Sequence, residues 1–158
     1  MFKYSRTRLF LPHRQLISRP GFKMSVSTER KVEQVSTTAA PAPLPQFSQA
    51  IKFNGLLFCS GNVGAIPGTN LQLVEGTAKD RTRQTLKNIS AVLEAGGSSL
   101  RNVLKVNIFI TDMANFSLIN EAYDEFFTWS PKPARTCVAV HQLPLGTDVE
   151  IECTAFVN

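Results

Sequence analysis

Apolar and polar residues along the chain switch between a period of two and a period of three to four, and the switches mark out its elements. Phe47, Gln49, Ile51 and Phe53 alternate with Ser48, Ala50 and Lys52, which predicts a strand. Asn54-Gly55, the strongest two-residue hairpin signal, ends it, and residues 56–60 return as a second strand. Gly64, Pro67 and Gly68 place a loop over 61–70, with a short strand at 71–74. Thr77 followed by Asp80 forms a capping box for a helix whose stripe is Leu86, Ile89, Val92 and Leu93, and Gly96-Gly97 stops it. A strand follows over 103–111, with Leu104, Val106, Ile108 and Ile110 on one face. Asp112 caps a second helix with the stripe Phe116, Ile119, Tyr123 and Phe126 or Phe127. Pro131 and Pro133 break the chain before a strand over 135–140. After a turn at 144–147, the last strand puts Val149, Ile151, Cys153, Ala155 and Val157 on one side and Glu150, Glu152, Thr154 and Phe156 on the other.

The order ββαβαββ predicts an α+β fold, a mixed sheet with both helices on one face. Two helices cover that face alone. The other carries apolar residues such as Phe109 and Phe156 that need shelter, which predicts self-association through the open face. Residues 25–46, rich in Ser, Thr and Ala with Pro41, Pro43 and Pro45, read as a flexible linker, and the folded domain spans 47–158.

Charge changes the picture only after it is located. A sequence pI of 9.4 suggests a nucleic-acid binder. Yet six of the 17 basic residues (Lys3, Arg6, Arg8, Arg14, Arg19 and Lys23) lie in the acid-free stretch 1–28, leaving 11 against all 12 acids, a net of −1. The domain itself gives no warrant for phosphate-backbone binding, so nucleic acid is not an expected partner. The leader is Arg-rich, with Phe2, Leu9, Phe10, Leu11, Leu16 and Ile17 among its charges and no continuous apolar centre. It reads as a mitochondrial targeting peptide over 1–24, and Met24 offers a start for a cytosolic form. No apolar run approaches the roughly 18 residues that span a membrane. Cys59, Cys137 and Cys153 lack metal or disulfide spacing, and His141 is the one histidine outside the leader. Zinc sites and Ser-His-Asp triads therefore have little material here.

Five segments in order carry a family resemblance: Cys59-Ser60-Gly61-Asn62-Val63; residues 105–113; Phe116 to Phe127 with Asn120 and Tyr123; Pro133-Ala134-Arg135-Thr136-Cys137-Val138; and Leu143-Pro144 with Val149-Glu150-Ile151-Glu152. Together they resemble the Rid (reactive intermediate deaminase, YjgF) family. The resemblance implies a chorismate-mutase-like homotrimer with clefts between subunits and no cofactor. It implies hydrolysis of small 2-imino acids from pyridoxal-phosphate enzymes, such as 2-aminoacrylate and 2-aminocrotonate, to 2-keto acids and ammonia. Two other readings compete: an endoribonuclease, a name many members carry, and a non-enzymatic ligand-binding or chaperone-like trimer.

An imino acid offers a carboxylate and an electrophilic C=N carbon. The resemblance makes Arg135 the carboxylate clamp, a planar fork that matches the acid bidentately. It makes Glu150 the group that orients or deprotonates water. It places Ser60, Gly61, Asn120 and the backbone of Cys137 against substrate, while Glu152 looks structural. Phe47 stands where the family usually has tyrosine, keeping the ring and losing the hydroxyl.

Overall fold

The computed structural model describes residues 31–157. The expected targeting segment and Met24 lie outside the described residues. The chain forms β1 (Glu33–Val35), β2 (Ala50–Phe53), β3 (Leu56–Asn62), α1 (Ala78–Ala95), β4 (Val103–Ile110), α2 (Phe116–Phe126), β5 (Ala134–Ala139) and β6 (Val149–Phe156). One six-stranded sheet takes the order β1-β2-β3-β6-β4-β5. Its neighbours are antiparallel except β4 and β5, which run parallel. No helix among the described residues is long and apolar enough to cross a membrane.

Local chemistry explains most of these boundaries. Asn54 and Gly55 both take left-handed φ, 51° and 76°, as the tight turn between β2 and β3 requires. The Thr77 N–H donates to Asp80 at 3.0 Å, and this bond is the main reason the Asp80 carboxyl lies below its ordinary range. Leu86, Ile89, Val92 and Leu93 of α1 and Ile119 and Tyr123 of α2 pack on the sheet side chains Leu57, Val106, Ile108, Ile110, Val149 and Ile151. Each large apolar side chain fully buried there contributes about 1.5–3 kcal/mol. The fold is thus a mixed sheet with two helices on one face.

Five details differ from expectation. The segment read as a linker contains β1, and Val35 and Ala40 are buried. An edge strand is made by main-chain bonds and needs little apolar pattern. Gln49 completes the anchoring: its carbonyl accepts from the Thr37 N–H at 2.7 Å, and its amide donates to the Thr37 and Pro41 carbonyls. β2 begins only at Ala50, although the Gln49 carbonyl still accepts from the Ser60 N–H of β3 at 3.1 Å. The expected strand at 71–74 reduces to one bridge between Leu73 and Ala65. Leu104 is exposed because the β4–β6 register shifts between Val103 and Lys105, which puts Val103 into the core instead. Asp112 caps a 3-10 turn, Met113–Asn115, that leads into α2, accepting from the Ala114 N–H at 2.8 Å.

Candidate active site

The expected site residues other than Cys137 divide between two cavities. The first, about 410 Å³, holds Phe47, Ser60, Gly61 and Glu150. Glu150 sits on β6 opposite Phe109 of β4, on the face the helices leave open. The β3–β6 register shifts between Cys59 and Asn62, and this irregularity seats Gly61 against the Glu150 side chain. A Cβ built on Gly61 would stand 1.9 Å from Glu150 Oε1. The glycine therefore makes room for the protein's own carboxylate. The Ser60 hydroxyl is engaged as a donor to the Ser48 carbonyl at 2.6 Å, tying β3 to the chain that carries Phe47.

Glu150 is half-buried, and among the described residues it has no hydrogen-bond donor or cation beside it. Burial, and then the charge of Glu152, push its carboxyl above the ordinary range. Glu152 lines the same cavity but has a partner, accepting from Asn107 Nδ2 at 2.8 Å.

The second cavity, about 320 Å³, is lined by Asn120, Tyr123, Asp124, Lys132, Pro133 and Arg135. Arg135 sits on β5 opposite Val106 of β4, a core residue, and so on the helix side of the sheet. Its guanidinium carbon lies 4.8 Å from the centre of the Tyr123 ring and 5.6 Å from that of Phe116. Among the described residues Arg135 has no acidic partner, since Asp124 is taken by Lys132. Asn120 Oδ1 and the Tyr123 hydroxyl are buried without a hydrogen-bond partner. Burial pushes the Tyr123 hydroxyl up to about 12, against the opposing charge of Arg135, so it remains protonated at neutral pH. Cys137, opposite Ile108, follows Arg135 on the same side. Burial raises its thiol, with Arg135 opposing, so nothing activates it as a nucleophile.

Ser60, Gly61, Phe47 and Glu150 thus come together, and Arg135 comes together with Asn120, but the two groups do not meet within one chain. Val106 and Phe109 are three residues apart on β4, and their partners Arg135 and Glu150 point to opposite sides of the sheet. Sequence reasoning placed Tyr123 in a core stripe and missed its unpartnered hydroxyl beneath Arg135. It also missed Leu71 and Leu145 in the wall of the Glu150 cavity.

Residues 37–157 match the family model described as endoribonuclease L-PSP. The chain belongs to this Rid (L-PSP) family. Within it, the chain is 46% identical over 136 residues to Protein mmf1, mitochondrial, of Schizosaccharomyces pombe, covering 84% of this chain and 78% of that one. It is 44% identical over 139 residues to Reactive Intermediate Deaminase A, chloroplastic, of Arabidopsis thaliana, covering 87% and 73%. Among solved Rid-family structures, that of E. coli TdcF with bound serine superposes with a TM-score of 0.74 at 30% identity, over 80% of this chain and 99% of the other.

Proposed function

We propose that this Rid-family chain is a cofactor-free deaminase. Its substrates are the imines and enamines that pyridoxal-phosphate enzymes release, 2-aminoacrylate/2-iminopropanoate and 2-aminocrotonate/2-iminobutanoate. Its products are 2-keto acids and ammonia. One observation carries the reading: two complementary charges, Arg135 and Glu150, each stand without an opposite charge beside them in a cavity open on one side. A small acid with an electrophilic carbon suits both when a second copy brings its Arg135 cavity against the Glu150 cavity of the first. The exposed Phe58, Val138 and Phe156 of the open sheet face supply an apolar surface for that contact, and a homotrimer is the proposed assembly.

In this reading Arg135 grips the substrate carboxylate bidentately, stacked on Tyr123 so that its plane is fixed. Glu150, a stronger base than an ordinary carboxylate because its carboxyl is raised, takes a proton from water as the oxygen bonds to the imine carbon. The C=N electron pair passes to nitrogen, which takes up the proton that Glu150 removed from water. In the carbinolamine, Glu150 then removes the hydroxyl proton and passes it to the amino nitrogen as the C–N bond breaks, so that ammonia leaves a keto group and an ionised Glu150 behind. The deaminase named among the relatives supports this chemistry. The proposed compartment is the mitochondrion, after the leader's composition and the mitochondrial relative.

The test supplies 2-aminoacrylate from a dehydratase and follows keto-acid release with wild type and Arg135→Ala. Faster release by wild type alone is expected, and equal acceleration by both would defeat the clamp. The family description favours ribonuclease activity as the second reading. RNA cleavage that tracks the protein through purification and disappears in Glu150→Gln would establish it.

A further inference from the structure

Three non-glycine residues among those described adopt left-handed φ: Asn54, Leu71 at 56° and Leu145 at 59°. Asn54 belongs to a hairpin turn that demands this backbone. The two leucines do not, and leucine is a poor residue for it, because its Cβ crowds the following carbonyl. Both line the Glu150 cavity. Each is also held from both sides. Around Leu71, the Ile66 N–H donates to the Gln72 carbonyl at 2.9 Å and the Val74 N–H to the Gly64 carbonyl at 2.8 Å. Around Leu145, the Gly146 and Thr147 N–H groups donate to the Leu143 and Pro144 carbonyls at 3.2 Å. Unfavourable backbone that the surroundings enforce gathers where a side chain must be aimed. Here both strained positions aim an isobutyl group at one space.

That space is apolar apart from its carboxylates and Ser60. Leu44, Phe47 and Val63 share it with the two leucines, and the ring of Phe47 brings no hydroxyl. The methylene of 2-aminoacrylate would leave most of about 410 Å³ unfilled. Each further methylene buried there strengthens binding roughly fourfold.

We propose that Leu71 and Leu145 set the substrate preference of this cavity, selecting 2-imino acids with a branched or aromatic apolar side chain over those with one or two carbons. The inference rests on the deaminase reading above and moves its preferred substrates from the small imines named there to larger apolar ones.

The test uses the full chain and imines made in situ by an amino-acid oxidase from alanine, 2-aminobutyrate, leucine and phenylalanine. The variants are Leu71→Asn, Leu145→Asn and the pair. Asparagine suits left-handed backbone, so thermal stability should hold or rise while the apolar wall is lost. Wild type should favour the leucine-derived imine over the alanine-derived one by about tenfold or more in kcat/KM. In the double variant that ratio should fall towards one. Equal rates for all four imines in wild type would overturn this inference and leave the deaminase reading standing. No acceleration of any imine would remove both. Dissociation of the oligomer by the asparagine pair with the ratio unchanged would assign the leucines to contact between copies, and overturn the inference as well.

Discussion

Beneath α1 and α2, Val106, Ile108, Ile110, Val149 and Ile151 are each no more than 1% exposed. On the other face of the same sheet, Phe58, Val138 and Phe156 are 40–44% exposed, interleaved with Glu150, Glu152 and Lys105. Both faces follow the same alternation of apolar and polar residues, but only one is closed by the chain's own helices. The comparison separates two tasks. The covered face holds the chain together by itself, while the other is the surface proposed for contact between copies. The site residues follow the division, with Glu150 on the open face and Arg135 at the helix side of the edge strand β5, where the helical cover ends.

The comparison is broken most directly at Arg135. Arg135→Ala should lower kcat/KM for imine hydrolysis by roughly a hundredfold or more, and Arg135→Lys should recover little, since an ammonium lacks the planar fork. Steady-state keto-acid release measures both, and near-wild-type rates for the lysine variant would mean that charge alone suffices.

The faces themselves are compared by a matched pair. Ile108→Ala, on the covered face, should cost about 2–5 kcal/mol in denaturant unfolding. Phe156→Ser, on the open face, should stay within about 0.5 kcal/mol for the isolated chain and instead dissociate the copies in sedimentation. Equal destabilisation by both substitutions would erase the distinction.

The smallest effect is one of pH. The raised carboxyl of Glu150 means that the native chain holds this proton over a range in which the unfolded chain has lost it. Its ionised form therefore costs stability at neutral pH, and the cost fades as acid protonates it in both states. In the dissociated Phe156→Ser background, Glu150→Gln should raise the thermal midpoint at pH 7 and leave it unchanged below the ordinary carboxylate range. A gain that persists in acid would assign the effect to something other than charge.

Much of the covered face was legible in the sequence. The stripe Leu86, Ile89, Val92 and Leu93, the box Thr77–Asp80 and the turn Asn54-Gly55 are local signals, and each sits where its chemistry requires. β1 was not legible, because an edge strand fastened by main-chain bonds and by the buried amide of Gln49 carries almost no periodic signal. Leu104 fooled the alternation because a bulge depends on the partner strand. The candidate site was legible as a set of residue types but not as an arrangement. Alternation alone put Glu150 opposite the buried side of β6, but the side that Arg135 occupies is decided by the register of β5 on β4, a long-range property. The left-handed leucines leave no mark at all, since nothing about Leu71 or Leu145 in the sequence announces a positive φ.

The three-residue step on β4 between Val106 and Phe109 has a quiet consequence. An odd step parts two residues across a pleated ribbon, whereas an even one would aim them the same way. With one residue more or fewer between those rungs, the guanidinium and the carboxylate would share a side and could neutralise each other as a fixed internal pair. Parity keeps the two charges from pairing within one chain.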